Sequence, residues 1–178
     1  MLEYDLKLYY LQQLGVDCWV KRPPNRNRSV QLMIIGEAPA YFEDKQGKPF
    51  VGKAGELLDK MLGSIGLSEQ DVYIANVFKG CPPNNRDPAP SEIEACRSFL
   101  NQQIQLVAPK LILALGHFAG QFLFGASTSL VKLRSVLHYY DKLPFIVTYH
   151  PAFLLRTPQY KRQAYLDLLF LKNVLSEL

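Results

Sequence analysis

The sequence predicts an α/β fold of three layers, with helices on both faces of a central, mostly parallel four-stranded sheet. Four short apolar runs, at 31–35, 72–78, 111–115 and 145–148, have the near-continuous hydrophobicity of strands buried on both faces. Between and after them, apolar residues recur at helical spacing, and strands alternating with helices build a parallel sheet covered on both sides. The 178 residues suffice for one domain with a real core. Hydrophobic residues make up 48% and charged residues 20%, a globular rather than a disordered or fibrous composition.

In chain order, residues 6–20 place Leu8, Leu11 and Leu14 on one face and read as a short amphipathic helix ending near Gly15. Arg22-Pro23-Pro24-Asn25-Arg26-Asn27-Arg28 is polar, basic and Pro-rich, an extended linker. The expected division is therefore 1–28, an N-terminal helical, partner-binding segment with its linker, and 29–178, the globular domain. After the first strand, 54–65 repeats Leu57, Leu58, Met61, Leu62 and Ile65 at helical spacing. Pro90 or Ser91 opens a helix running to about 107. A short apolar helix follows at 117–124, and a final amphipathic one at 160–175.

Composition narrows the function classes. No apolar run approaches the roughly 18 residues of a membrane span, and the start lacks a signal peptide's basic and apolar regions. Three cysteines without a CxxC pair argue against a disulfide framework and for a reducing cytoplasm. His117, His138 and His150 lack metal-ligand spacing, so no metal site is expected from them. A net charge of +4 permits a nucleic-acid partner without demanding one. A monomer is expected outside complexes.

In sheets of this kind ligands bind beyond the carboxyl ends of the strands, and that is where the distinctive loops fall. After the first strand comes Gly36-Glu37-Ala38-Pro39-Ala40-Tyr41-Phe42, whose small residues let a ligand approach the backbone. Glu37 reads either as a catalytic carboxylate or as the cap of a neighbouring amide. Residues 47–55 superficially suggest a phosphate loop, but Ala54 stands where the hydroxyl is required and no strand precedes, so a nucleoside-triphosphate site is rejected. Phe50, behind Pro49, is either a stacking platform for a base or plain core. Asn76, inside the second apolar run, needs partners on pain of about 1–3 kcal/mol. It offers donor and acceptor to a pyrimidine edge or is bonded to backbone. Thr148-Tyr149-His150-Pro151 follows the fourth strand and sets His150 opposite Glu37. Arg156, Lys161 and Arg162 offer phosphate contacts or an ordinary solvated helix start.

Four segments together, GEAPAYFEDKQGKPFVGKAG, YIANVFKGCPPNNRDPAPSEIEAC, LALG and TYHPAFLLR, resemble the uracil-DNA glycosylase superfamily, family 4 above all. They span residues 31 to about 156 in the family's order. The resemblance implies a base pocket between the 36–50 and 148–156 loops. Glu37 would lie beside the glycosidic bond and its water, with Gly36, Ala38 and Pro39 around the base. Phe50 would stack on the flipped uracil, Asn76 would read its edge, and His150 would stabilise the departing anion from O2. Pro151, Leu154, Leu155 and Arg156 would press into the duplex, with Lys79 and Arg86 also on DNA. Such chemistry separates charge and needs a base taken out of the stack. Ala38 stands where other branches have an acidic residue.

The chain also departs from that family. Its members usually carry a four-cysteine iron–sulfur cluster, yet here Gly80 holds the expected position of one ligand, with Cys81 displaced by one. Cys96 matches, and Cys18 stands in a different context. A cubane generally needs four thiolates, so no cluster is expected. Ala40 and Ser135 replace usual glycines. Residues 11–19, from Leu11 and Leu14 to Trp19, together with Arg22-Pro23, resemble the N-terminal peptide of the psi subunit of bacterial DNA polymerase III. That resemblance implies a clamp-loader partner anchored by Trp19, unless Trp19 packs on its own domain. Two functions are thus in play. One is a repair glycosylase that hydrolyses the N-glycosidic bond of uracil in DNA, with or without a replisome tether. The other is a non-catalytic psi-like subunit on a glycosylase scaffold. The kept pocket residues rank the enzyme first.

Overall fold

The computed structural model describes residues 30–38, 50–78 and 90–178. They form β1 (Leu32–Gly36), α1 (Lys53–Gly63), β2 (Val72–Asn76), α2 (Pro90–Val107), β3 (Leu111–Leu115), α3 (Gly116–Phe124), α4 (Leu130–Leu133), β4 (His138–Tyr140), β5 (Leu143–Thr148), α5 (Pro151–Arg156) and α6 (Lys161–Glu177). The strands make one sheet in the order β2-β1-β3-β5-β4, parallel except for the last pair.

Alternation along the strands builds the two outer layers. Leu32 and Ile34 point to one face, where α1 and α6 bring Leu58, Leu62, Leu168 and Leu171. Met33 and Ile35 point to the other, where α2 and α3 bring Leu100, Ala119, Phe122 and Leu123. All five β1 residues are buried, as a strand covered on both sides must be.

The sheet order also locates a crevice. From β1 the chain crosses through α1 on one face to β2, whereas from β3 it leaves through α3 on the other face. The connections diverge between the carboxyl ends of β1 and β3, the switch point at which ligands enter open α/β sheets.

The four expected strands are all present, and a fifth joins them. β4 pairs antiparallel with β5, Tyr140 opposite Leu143, leaving Asp141-Lys142 as a two-residue loop. Both loop residues have positive φ, 51° and 100°, as a hairpin of type I′ requires. Asp-Lys lacks the Asn-Gly signature of such turns, and three residues are too few for visible alternation.

Candidate active site

Gly36 ends β1 opposite Asn76, which ends β2. The pairing continues past both strands: Val77 N donates to Gly36 O and Phe78 N to Glu37 O, each at 2.9 Å. The backbone of Glu37 is thereby held at the crevice, and its side chain is half-buried. A Cβ on Gly36 would collide with Asn76 Oδ1 and sit 3.0 Å from Phe50 Cζ. Gly36 is thus required for space. Asn76 is 3% exposed, and Oδ1 accepts no hydrogen bond, though the residue has a further interaction elsewhere. Ala38, beside Glu37, is half-buried against the α2–α3 face.

Phe50 reaches this point through a left-handed backbone, φ 53°, which costs a non-glycine residue about 1–2 kcal/mol. Gly55, in the first turn of α1, packs directly under it, and a Cβ there would overlap the Phe50 carbonyl. The Phe50 ring stacks on His150, with centroids 5.6 Å apart and planes at 27°. Four residues singled out in the sequence, Gly36, Phe50, Asn76 and His150, therefore converge on one point.

His150 is the N-cap of α5, and Pro151, which has no N–H to satisfy, occupies its first turn. The ring's Nδ1 accepts from Ala152 N at 3.2 Å. Gly116, at φ 89°, opens α3 close enough that a Cβ would lie 3.1 Å from His150 Cβ. Burial, with the Arg156 charge second, pushes the imidazole down from 6.5 to about 4. At neutral pH the ring is uncharged. Since Nδ1 accepts, its one proton sits on Nε2, making that nitrogen a neutral donor.

The α5 side chains divide differently from the sequence expectation. Pro151 is buried, and Leu154, 1% exposed, belongs to the core between α1, α5 and α6, so neither side chain can enter a duplex. Helical periodicity turns Leu155 and Arg156 outward instead, Leu155 at 39% exposure. Pro39, Lys79, Arg86, Leu11, Leu14 and Trp19 lie outside the described residues.

Gly55 and Gly116 close two of the quoted segments, but sequence reasoning gave neither a role: each admits a neighbour's backbone or side chain, which only the packing reveals. It also missed Arg134 and Asp167, an ion pair of 2.7 Å directly behind the His150 turn. The usable signal was a carboxylate in the buried stripe Ala164, Asp167, Leu168, Leu171 of α6.

A four-thiolate cluster does not fit this chain, which has three cysteines. Cys96, on α2, is half-buried and free; Cys18 and Cys81 lie outside the described residues. Among the described residues no three His, Cys, Asp or Glu side chains are grouped to hold a metal ion. No described helix is long and apolar enough to cross a membrane.

The family model described as the uracil DNA glycosylase superfamily matches residues 23–171. A type-4 uracil-DNA glycosylase of Archaeoglobus fulgidus is 44% identical over 145 residues, 77% of this chain and 73% of that one. One of Thermotoga maritima is 43% identical over 132 residues, covering 73% and 69%. A DNA polymerase of Bacillus phage SP01 is 29% identical over 150 residues, 84% of this chain but 16% of the polymerase.

Proposed function

The chain belongs to the uracil DNA glycosylase superfamily, and from that premise we propose that it excises uracil from DNA by hydrolysing the bond between the base N1 and the sugar C1′. The C1′–N1 bond breaks with its electron pair leaving on uracil, water oxygen bonds to C1′, and the water's proton is released. The departing charge spreads from N1 to O2. A donor held in place before that charge develops lowers the barrier, and a neutral one suffices to meet an anion.

One observation carries this reading: the His150 ring, its Nδ1 occupied by Ala152 N, stacks on Phe50, whose ring lies against Gly36 beside Asn76. In this reading His150 donates to uracil O2 and Asn76 pairs with the base edge. Phe50 stacks on the ring, and Gly36, Ala38 and Pro39 shape the backbone wall. Glu37 lies beside the attacking water. DNA is the partner, with Leu155 and Arg156 facing it from α5 and Lys79 and Arg86 contacting phosphates. Three cysteines support an enzyme without an iron–sulfur cluster, and their lack of a CxxC pair supports a cytoplasmic home. The functional unit is read as a monomer with its glycosylase-like domain at 29–178.

The test is an oligonucleotide with a single uracil, as single strand and as duplex. Wild type is expected to leave an abasic site that alkali cleaves. His150→Ala is expected to slow this about 10²–10³-fold, the usual loss for one preorganised donor to an anion. No product at enzyme excess overturns the reading.

A second reading adds a replication tether. It is favoured by the likeness to a phage protein named as a DNA polymerase and by the 11–19 segment resembling the psi peptide. A non-catalytic psi-like subunit is the form it takes if excision is absent. Retention on a clamp-loader collar is expected to be lost in Trp19→Ala, and unchanged retention rejects the tether.

A further inference from the structure

We propose that Asp167 and Arg134 are positioning residues for His150, gripping the two residues that precede it. Asp167 stands fully buried in the stripe of α6 where an apolar residue would serve the core. Among the described residues its side chain accepts four hydrogen bonds, from the 134–135 turn and from Thr148. Oδ1 accepts from Arg134 Nη2 and Ser135 Oγ, both at 3.0 Å; Oδ2 accepts from Arg134 Nε and Thr148 Oγ1, both at 2.7 Å. The Arg134 fork is bidentate, which fixes direction as well as distance.

Arg134 extends the grip by one residue. Its Nη1 donates to Tyr149 Oη at 3.0 Å, and its guanidinium lies 4.2 Å from the Tyr149 ring centroid. The same phenol donates to Gln163 Oε1 at 2.8 Å. The Tyr149 ring also stacks on Phe153 of α5, centroids 5.4 Å apart and planes at 13°. Thr148 and Tyr149 are thus each clamped by side chains, and His150 is the next residue.

Ser135 adds a second sign that this geometry is specified. It stands at φ 58°, a left-handed conformation that favours glycine, and keeps its hydroxyl on Asp167. A buried ion pair is weak evidence for stability, because apolar residues of like volume often serve as well. What the pair offers beyond stability is orientation of a rigid turn, the demand a positioned donor makes.

The inference rests on the excision reading above, so the test has one arm without activity. In the full-length chain, ¹⁵N shifts of the His150 ring report its tautomer and titration. Asp167→Asn is expected to mix the two neutral tautomers of the ring. In single-turnover excision, Asp167→Asn should slow release of uracil by about tenfold or more. Release of 5-fluorouracil, a better leaving group that depends less on His150, should fall much less. In a His150→Ala background the Asp167→Asn change should add no further loss. Thr148→Val removes one of the four bonds while keeping shape; it should show the same pattern more weakly, and it decides the matter if Asp167→Asn does not fold. An unchanged ring tautomer overturns the proposal. So does an equal loss on both bases that multiplies with His150→Ala. If wild type excises nothing, the excision reading fails, and the ring spectra alone decide whether the pair positions His150.

Discussion

Two demands meet on the His150 ring: one nitrogen caps a helix, and the other keeps the proton. The cap requires the uncharged form, whose single proton then lies on Nε2, and burial supplies that form by holding the group at about 4 against 6.5 when exposed. Folding therefore excludes a proton that the unfolded chain takes up. The unfolded state binds more protons between pH 6.5 and 4, so this contribution is whole above 6.5, lost as pH falls through that window, and constant below 4. A shift of this size corresponds to about 3 kcal/mol. Urea unfolding at pH 7, 5.5 and 4 should thus show wild type losing about 3 kcal/mol more than His150→Gln. Parallel losses would mean that the buried ring does not set the pH response. Gly36 makes the second residue-scale demand. Gly36→Ala needs no forbidden backbone angle, but its methyl lands on Asn76 Oδ1 and against Phe50. Uracil excision should fall by 10-fold or more, about what misplacing groups by an ångström costs. Far-UV circular dichroism should stay unchanged. Excision at the wild-type rate would remove Asn76 and Phe50 from the pocket.

Elements decide which of these residues can meet. α1 begins so close to Phe50 that only glycine fits at its third position, Gly55. Helix propensity favours Gly55→Ala by about 1 kcal/mol. Packing opposes it, because the new methyl would overlap the Phe50 carbonyl, and overpacking costs about 1–3 kcal/mol. The prediction is net destabilisation, measured by thermal melting, with Phe50 displaced and excision slowed. A melting point raised by the substitution would show the contact to be loose. Strand identity was legible for β1, β2, β3 and β5, because burial on both faces writes itself as an apolar run. It was not legible for β4, whose pairing comes from a two-residue turn without glycine. The pocket followed the strand ends, which is why Gly36, Asn76 and His150 could be named from sequence. Leu154 could not be assigned, since a six-residue helix shows too little period to tell its inner face from its outer one. Asp167 was hidden differently: a carboxylate inside an apolar stripe reads as an exception until Arg134, 33 residues away, supplies its partner.

On the scale of the whole molecule, the question is how much of the chain the chemistry needs. The family match begins at residue 23, whereas the described body begins with buried Val30 and with Gln31, whose carbonyl accepts from Lys110 N and Leu111 N at 2.9 and 3.1 Å. That pair of bonds ties the entry of β1 to the start of β3. The crevice lies at the opposite, carboxyl ends of the strands, where described residues of β1, β2, α1, α3 and α5 meet around Gly36, Phe50, Asn76, Gly116 and His150. If the domain runs from 29 to 178, deleting 1–28 should leave excision of uracil from a single-stranded oligonucleotide within about twofold of the full chain, as for a segment outside a domain's core. On the tether reading the same deletion should abolish retention on a clamp-loader collar, because Leu11, Leu14 and Trp19 go with it. The two measurements separate tether from catalyst. Loss of excision together with the melting transition would move the domain boundary into the first 28 residues. Loss of excision with the melt preserved would instead assign the basic run from Arg22 to Arg28 to DNA binding, and raising salt would then weaken the full chain's hold on DNA more steeply than the shortened one's.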